Sequence, residues 1–117
     1  MHELAVCQSL LREVARAAAA NGAGEVTRVV VAIGSLSGVE GPLLARAFEV
    51  ARCGTIASGA ALEIEAVPVR VRCKICAAET ETPVNALLCG RCGAWQVDVL
   101  SGEELLLTRV ELVVDPT

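Results

Sequence analysis

Aromatic residues are nearly absent. There is no Tyr, one Trp (Trp95) and one Phe (Phe48) among 117 residues, 2% in all. A core built from this chain must be aliphatic, and its 54% of hydrophobic residues is ample for one. A basic excess is missing too: the formal charge is −4. Phosphate backbones are bound by clustered Lys and Arg, so no nucleic-acid partner is expected. No uninterrupted apolar stretch approaches the roughly 20 residues that span a bilayer. No basic leader opens the sequence, so neither a membrane partner nor a secretory signal is expected. Gly34-Ser35-Leu36-Ser37-Gly38 lacks the Gly-Lys-Ser/Thr ending of a phosphate loop and reads as a flexible loop. Histidine occurs once, at His2, which leaves few candidates for handling a metal.

Cysteine, by contrast, occurs six times. Four form two Cys-x-x-Cys pairs, Cys73/Cys76 and Cys89/Cys92. Two such pairs bring four thiolates to one tetrahedral point, the arrangement of a closed structural zinc site. Small residues follow each pair, Ala77-Ala78 and Gly93-Ala94, and Gly90 sits inside the second, where a tight turn is expected. The competing readings are two disulfides, a rubredoxin-like iron site or a redox dithiol. A cytoplasmic location, where thiols stay reduced, favours metal over disulfide. Two pairs favour metal over a dithiol.

The rest of the chain is patterned as one small domain. Leu4, Cys7, Leu11, Val14 and Ala18 recur at helical spacing and predict a helix over 4–20, stopped by Asn21-Gly22. Cys7 lies on its apolar stripe as a small buried hydrophobe. Val-rich residues 26–33 predict a strand. Gly41-Pro42 opens a second helix with Leu44, Ala47, Phe48 and Ala51 on its apolar face. That helix ends at Gly54 or at Ser58-Gly59, near a structural or partly exposed Cys53. Residues 61–72 read as one long strand whose alternation changes phase beside Pro68, the mark of a bulge or an edge. A short strand within 93–100 follows the cysteines. A last strand spans 104–114, with Leu106, Val110, Leu112 and Val114 on one face. Arg70, Arg72, Lys74 and Arg91 form a modest basic cluster, either a solvated strand end or a surface for an acidic partner. The fold expected is α+β: a small mixed three-stranded sheet with two helices packed on it. A four-cysteine, zinc-ribbon-like module protrudes from it, its flanking strands paired antiparallel. Residues 1–70 and 101–117 would form the first domain and residues 71–100 the zinc-binding domain.

Four thiolates close a coordination sphere, so a metal to be handled needs another site. His2 directly follows Met1, and a bulky second residue predicts that Met1 is retained. The Met1 amine, the His2 imidazole and the amides of His2 and Glu3 are nitrogen donors suited to square-planar nickel(II) or copper(II). The Glu3 carboxylate could add an axial oxygen or a supporting hydrogen bond. The competing reading is a frayed terminus.

Met1-His2-Glu3-Leu4 followed by an amphipathic helix resembles the start of the HypA/HybF family of hydrogenase nickel-insertion proteins. Val29-Val30-Val31-Ala32-Ile33-Gly34 resembles that family's first strand and turn, and Ala47-Phe48-Glu49 its second helix. The two cysteine pairs stand where its zinc domain stands, so the resemblance covers essentially the full length. It implies a non-enzymatic metallochaperone that carries nickel(II) to the large-subunit precursor of a nickel–iron hydrogenase, with a GTPase partner. Some members also serve urease and its maturation proteins. It implies His2 as nickel ligand, with the Met1 amine and the Glu3 amide or side chain beside it. Cys73, Cys76, Cys89 and Cys92 correspond to its zinc ligands. Two departures stand out: Ala5 replaces a common serine, and the zinc module has no histidine. A monomer or weak homodimer is expected. The rival function is a zinc-ribbon interaction domain without nickel transfer.

Overall fold

The computed structural model describes residues 3–114. Helix α1 spans Glu3–Ala20, strand β1 Glu25–Gly34, helix α2 Gly41–Ala51 and strand β2 Ala61–Val67. Four further strands follow: β3 Arg70–Cys73, β4 Glu79–Glu81, β5 Val97–Ser101 and β6 Leu105–Val113. The strands form two separate three-stranded sheets, ordered β2-β1-β6 and β4-β3-β5. The radius of gyration is 17.7 Å over extents of 59 × 29 × 16 Å. A compact chain of this size has about 13 Å, so the molecule is long, with one sheet toward each end.

The first lobe is the mixed sheet with its two helices. β1 is central, parallel to β2 and antiparallel to β6. Val26, Val29, Val31 and Ile33 join Cys7, Leu10, Leu11, Val14 and Ala18 of α1 and Leu44 and Phe48 of α2 in one aliphatic cluster. α1 ends in a Schellman motif: Ala23 N–H donates to Ala18 O (2.9 Å) and Gly22 N–H to Ala19 O (3.2 Å), with Gly22 at φ +65°. Asn21 Nδ2 adds a bond to Ala17 O (2.8 Å). Pro42 lies in the first turn of α2, where its missing N–H costs nothing. α2 closes at Ala51, and Arg52 Nη1 ties its end to Ala60 O (2.8 Å).

Several expectations need correction. Residues 61–72 are not one strand. The phase change at Pro68 is a change of sheet: β2 pairs with β1, and β3 pairs with β4 and β5. On β6 the inward residues are Leu105, Leu107, Val110 and Leu112. The pairing steps from Val30↔Arg109 to Val31↔Leu107, leaving Thr108 extra. That bulge turns Leu106 outward, and Leu106 and Val114 are 54% and 51% exposed. The Gly34–Gly38 segment is pinned and not a free loop: Leu36 N–H donates to Gly102 O (2.6 Å) and Ser37 N–H to Gly34 O (3.0 Å).

The second lobe contains a strand that sequence reading passed over. β4 has three residues and pairs antiparallel with β3 on the side opposite β5. The expected basic cluster lies here, mostly matched across strands. Arg72 meets Glu79 (3.0 Å), Arg70 meets Glu81 (3.8 Å) and Lys74 meets Asp98 (3.4 Å), all at exposed positions.

Candidate metal centre

The cysteine pairs sit in two turns built alike. Cys73 ends β3, and the chain folds back so that Ile75 N–H and Cys76 N–H both point at Cys73 Sγ (3.3 Å each). In the second turn Arg91 N–H (3.3 Å) and Cys92 N–H (3.4 Å) point at Cys89 Sγ. Ala77 N–H donates to Cys73 O (3.1 Å) and Gly93 N–H to Cys89 O (2.9 Å). Cys73 N–H reaches Ala78 O (2.9 Å), and Cys89 N–H reaches Ala94 O (2.8 Å). Both turns close through a left-handed residue, Ala77 at φ 64° and Gly93 at φ 77°. Small residues after each pair are therefore explained by the backbone.

β4 holds the second turn in place. Thr80 Oγ1 accepts from Gly90 N–H (2.9 Å), and a Cβ at Gly90 would press on Thr80 Cβ at 3.1 Å. The chain turns tightly at Gly90 as expected, and Gly90 also provides room for Thr80; the left-handed position of that turn is Gly93. Thr82 Oγ1 donates to Ala86 O and accepts from Leu88 N–H (3.4 Å). Neither threonine carried a sequence signal as a metal-site support. One signal was available: Arg-Val-Arg of β3 faces Glu-Thr-Glu of β4 as a complementary charge ladder.

The four sulfurs lie within 4.8 Å of one another, with Cys73–Cys92 and Cys76–Cys89 both at 3.6 Å. Thiolates about 2.3 Å from a tetrahedral ion stand roughly 3.8 Å apart, so the cluster fits a structural zinc ion. Cys73 and Cys89 are buried, Cys76 half-buried and Cys92 exposed. Backbone N–H groups stabilise the thiolate form. The Cys76 and Ile75 amides, with the neighbouring thiols, lower the Cys73 pKa against its burial. The Cys92 and Arg91 amides bring Cys89 down to about 6. Cys92 receives a lowering bond from Ala94, but the Cys73 thiol, burial and the other two sulfurs push it up to about 12. The cluster thus shares its protons unequally. With every sulfur turned inward to one point, it offers a closed site.

The remaining candidates lie at the other lobe. Glu3 is the first residue of α1 and half-buried. Met1 and His2 lie outside the described residues. Cys7 is fully buried, its thiol against Leu44 O (3.4 Å), as its apolar stripe predicted. Burial, with Glu3 a turn away, raises its pKa. Cys53 is exposed, and its thiol donates to Glu49 O (3.4 Å). Among the described residues no helix is long and apolar enough to cross a membrane.

Residues 1–112 match the family described as HypA, hydrogenase/urease nickel incorporation, metallochaperone. The sequence is 47% identical over 113 residues to the hydrogenase maturation factor HypA of Nitrosospira multiformis, covering 97% of this chain and 98% of that one. It is 41% identical to HypA of Aquifex aeolicus, covering 98% and 100%. The fold is similar to the solution structure of the Ni metallochaperone HypA from Helicobacter pylori. There the TM-score is 0.72, with 30% identity over 98% of this chain and 100% of that one.

Proposed function

The chain belongs to the HypA family of nickel metallochaperones for hydrogenase maturation, and from that premise we propose how it carries its cargo. Nickel(II) is held by the Met1 amine, the His2 imidazole and the amides of His2 and Glu3, with the Glu3 carboxylate as axial or supporting oxygen. Zinc is held by Cys73, Cys76, Cys89 and Cys92 and keeps the second lobe folded. The observation that carries this division is the inward closure of the four sulfurs, which leaves the cargo no open coordination position there. Residues 1–70 and 101–117 form the nickel-binding unit and residues 71–100 the zinc-binding unit, a division the two sheets support except at its edges, where Arg70 and Ser101 pair in the second sheet.

Delivery is ligand exchange in the cytoplasm, not catalysis. A terminal site lets an acceptor replace its ligands one at a time. The acceptor is the large-subunit precursor of a nickel–iron hydrogenase, and a GTPase assists. Because the amine, the amides and the imidazole must all lose protons to bind, nickel affinity falls as pH falls. His2→Ala is expected to abolish nickel binding in isothermal titration while zinc content and helicity persist. Unchanged nickel affinity in that variant overturns the assignment. A parent protein that keeps zinc and binds no nickel is a plain zinc-ribbon module instead.

A further inference from the structure

Two chain crossings join the lobes, Pro68–Val69 outward and Gly102–Glu104 on the return. The return crossing is tied to the end of β1 and the turn after it, and so is Val67, the last residue of β2 before the outward crossing. Gly34 N–H donates to Glu104 O (2.7 Å), Leu36 N–H to Gly102 O (2.6 Å) and Ser35 N–H to Val67 O (3.2 Å). The Glu104 carboxylate accepts from Gly102 N–H (2.6 Å). The outward crossing is also held by neighbouring strand ends: Ser101 Oγ, at the end of β5, donates to Pro68 O (2.9 Å), and Thr82 N–H, just after β4, donates to Val69 O (3.0 Å). Only glycine fits the seat. A methyl group on Gly34 would overlap the Gly102 carbonyl. A Cβ on Gly102, at φ +115°, would stand 2.9 Å from Val69 Cγ2 and 3.0 Å from its Cα.

The seat lies at a particular end of the first sheet. Ile33 pairs with Leu105 there, while Glu25 pairs with Val113 at the far end. The far end also receives the close of α1, because Gly24 N–H donates to Val113 O (3.1 Å). α1 then runs back about 27 Å along a β1 of about 33 Å. Its first turns come to rest beside the start of α2, where Cys7 Sγ meets Leu44 O. The start of α1 and the joint therefore share one end of the lobe.

We propose that Gly34, Gly102 and Glu104 lock the cysteine lobe in one orientation at the end of the first sheet where α1 begins, and so are positioning residues for handing on nickel. The part in delivery rests on the function proposed above, whereas the lock stands on the joint alone. In 15N relaxation the zinc-loaded parent is expected to tumble as one elongated body. Gly34→Ala and Glu104→Ala should let the lobes reorient separately. Glu104→Gln, which keeps an acceptor oxygen, should behave as the parent. So should Gly59→Ala, where an added methyl meets nothing within 4 Å. Nickel(II) titrated alone should bind every variant as tightly as the parent. Transfer to a nickel-free large-subunit precursor should be lost in the two loosened variants and kept in the other two. If Gly34→Ala fails to fold, the Glu104 pair carries the comparison. A parent that tumbles as two bodies, or loosened variants that tumble as one, overturns the lock. Loosened variants that still transfer at the parental rate overturn the positioning role. A parent that binds no nickel overturns the delivery role together with the proposed function, and relaxation still decides the lock.

Discussion

The two lobes hold themselves together by different physics. The first gathers Val14, Val26, Val29, Val31, Leu44 and Phe48 with their neighbours into one continuous aliphatic cluster. The second buries Val69, Val71, Thr82, Cys73 and Cys89, and two of those five are sulfurs of the metal cluster. Its Ile75 and Trp95 are 67% and 73% exposed. A unit this small seldom supports itself on apolar burial and needs a metal or disulfides in its place. One lobe is thus specified by side-chain pattern, the other by four ligands and the turns that aim them. Ion pairs do not alter this contrast, because those of the second lobe are exposed and contribute at most about 1 kcal/mol each.

The largest expected effect breaks the lobes apart in stability. Chelating zinc, or replacing Cys73 with Ala, should unfold the second lobe, since metal-binding energy in such sites is folding energy of order 10 kcal/mol. The helical circular dichroism of α1 and α2 should survive. Loss of both signals together would show that the first lobe depends on the second. The pH dependence sharpens the point. Zinc must displace the protons of its four thiols, so zinc affinity should fall as the pH falls, measured by competition with a chelator. In the folded lobe the amide bonds that lower the Cys73 and Cys89 pKa favour the thiolate form that zinc needs. A smaller effect comes from the other lobe. Leu44 is fully buried, and Leu44→Ala should cost about 2–5 kcal/mol of thermal stability while zinc stoichiometry stays at one. Zinc loss in that variant would contradict two independently stabilised lobes.

The same contrast explains what could be read from sequence. In the first lobe, periodicity reports burial directly, so α1, β1 and the core position of Cys7 were legible to within a residue or two. The failures there are places where hydrogen bonding outranks pattern. A bulge at Thr108 reverses the faces of β6 although Leu106 fits the alternation. In the second lobe, cysteine spacing located the cluster, but β4 was invisible because three polar residues carry no apolar period. Pro68 was recognised as a disturbance, yet a proline that bends one strand and a proline that ends it leave the same local signature. The joint was least legible of all. Gly34 lies far in sequence from Gly102 and Glu104, and the turn it begins meets them through backbone groups, which carry no side-chain pattern.

The smallest effect tests whether backbone geometry alone distinguishes the two cysteine turns. Their hydrogen bonds correspond one to one, but the left-handed position is Ala77 in the first and Gly93 in the second. A left-handed conformation costs an L-residue roughly 1–2 kcal/mol, and glycine returns part of any gain, about 0.5–1 kcal/mol, through its freer unfolded chain. Ala77→Gly should therefore stabilise the zinc-bound lobe by less than about 1 kcal/mol. Gly93→Ala should destabilise it by about 1 kcal/mol, and purely through the backbone, because an added methyl there meets nothing within 4 Å. The measurable consequence is an opposite shift in the rate of zinc loss to a chelator, slower for Ala77→Gly and faster for Gly93→Ala. Equal shifts of the same sign would mean that the two turns are not equivalent, and that the side-chain bond of Thr80, which reaches only the second turn, with those of Thr82 to the segment leading into it, sets its stability instead.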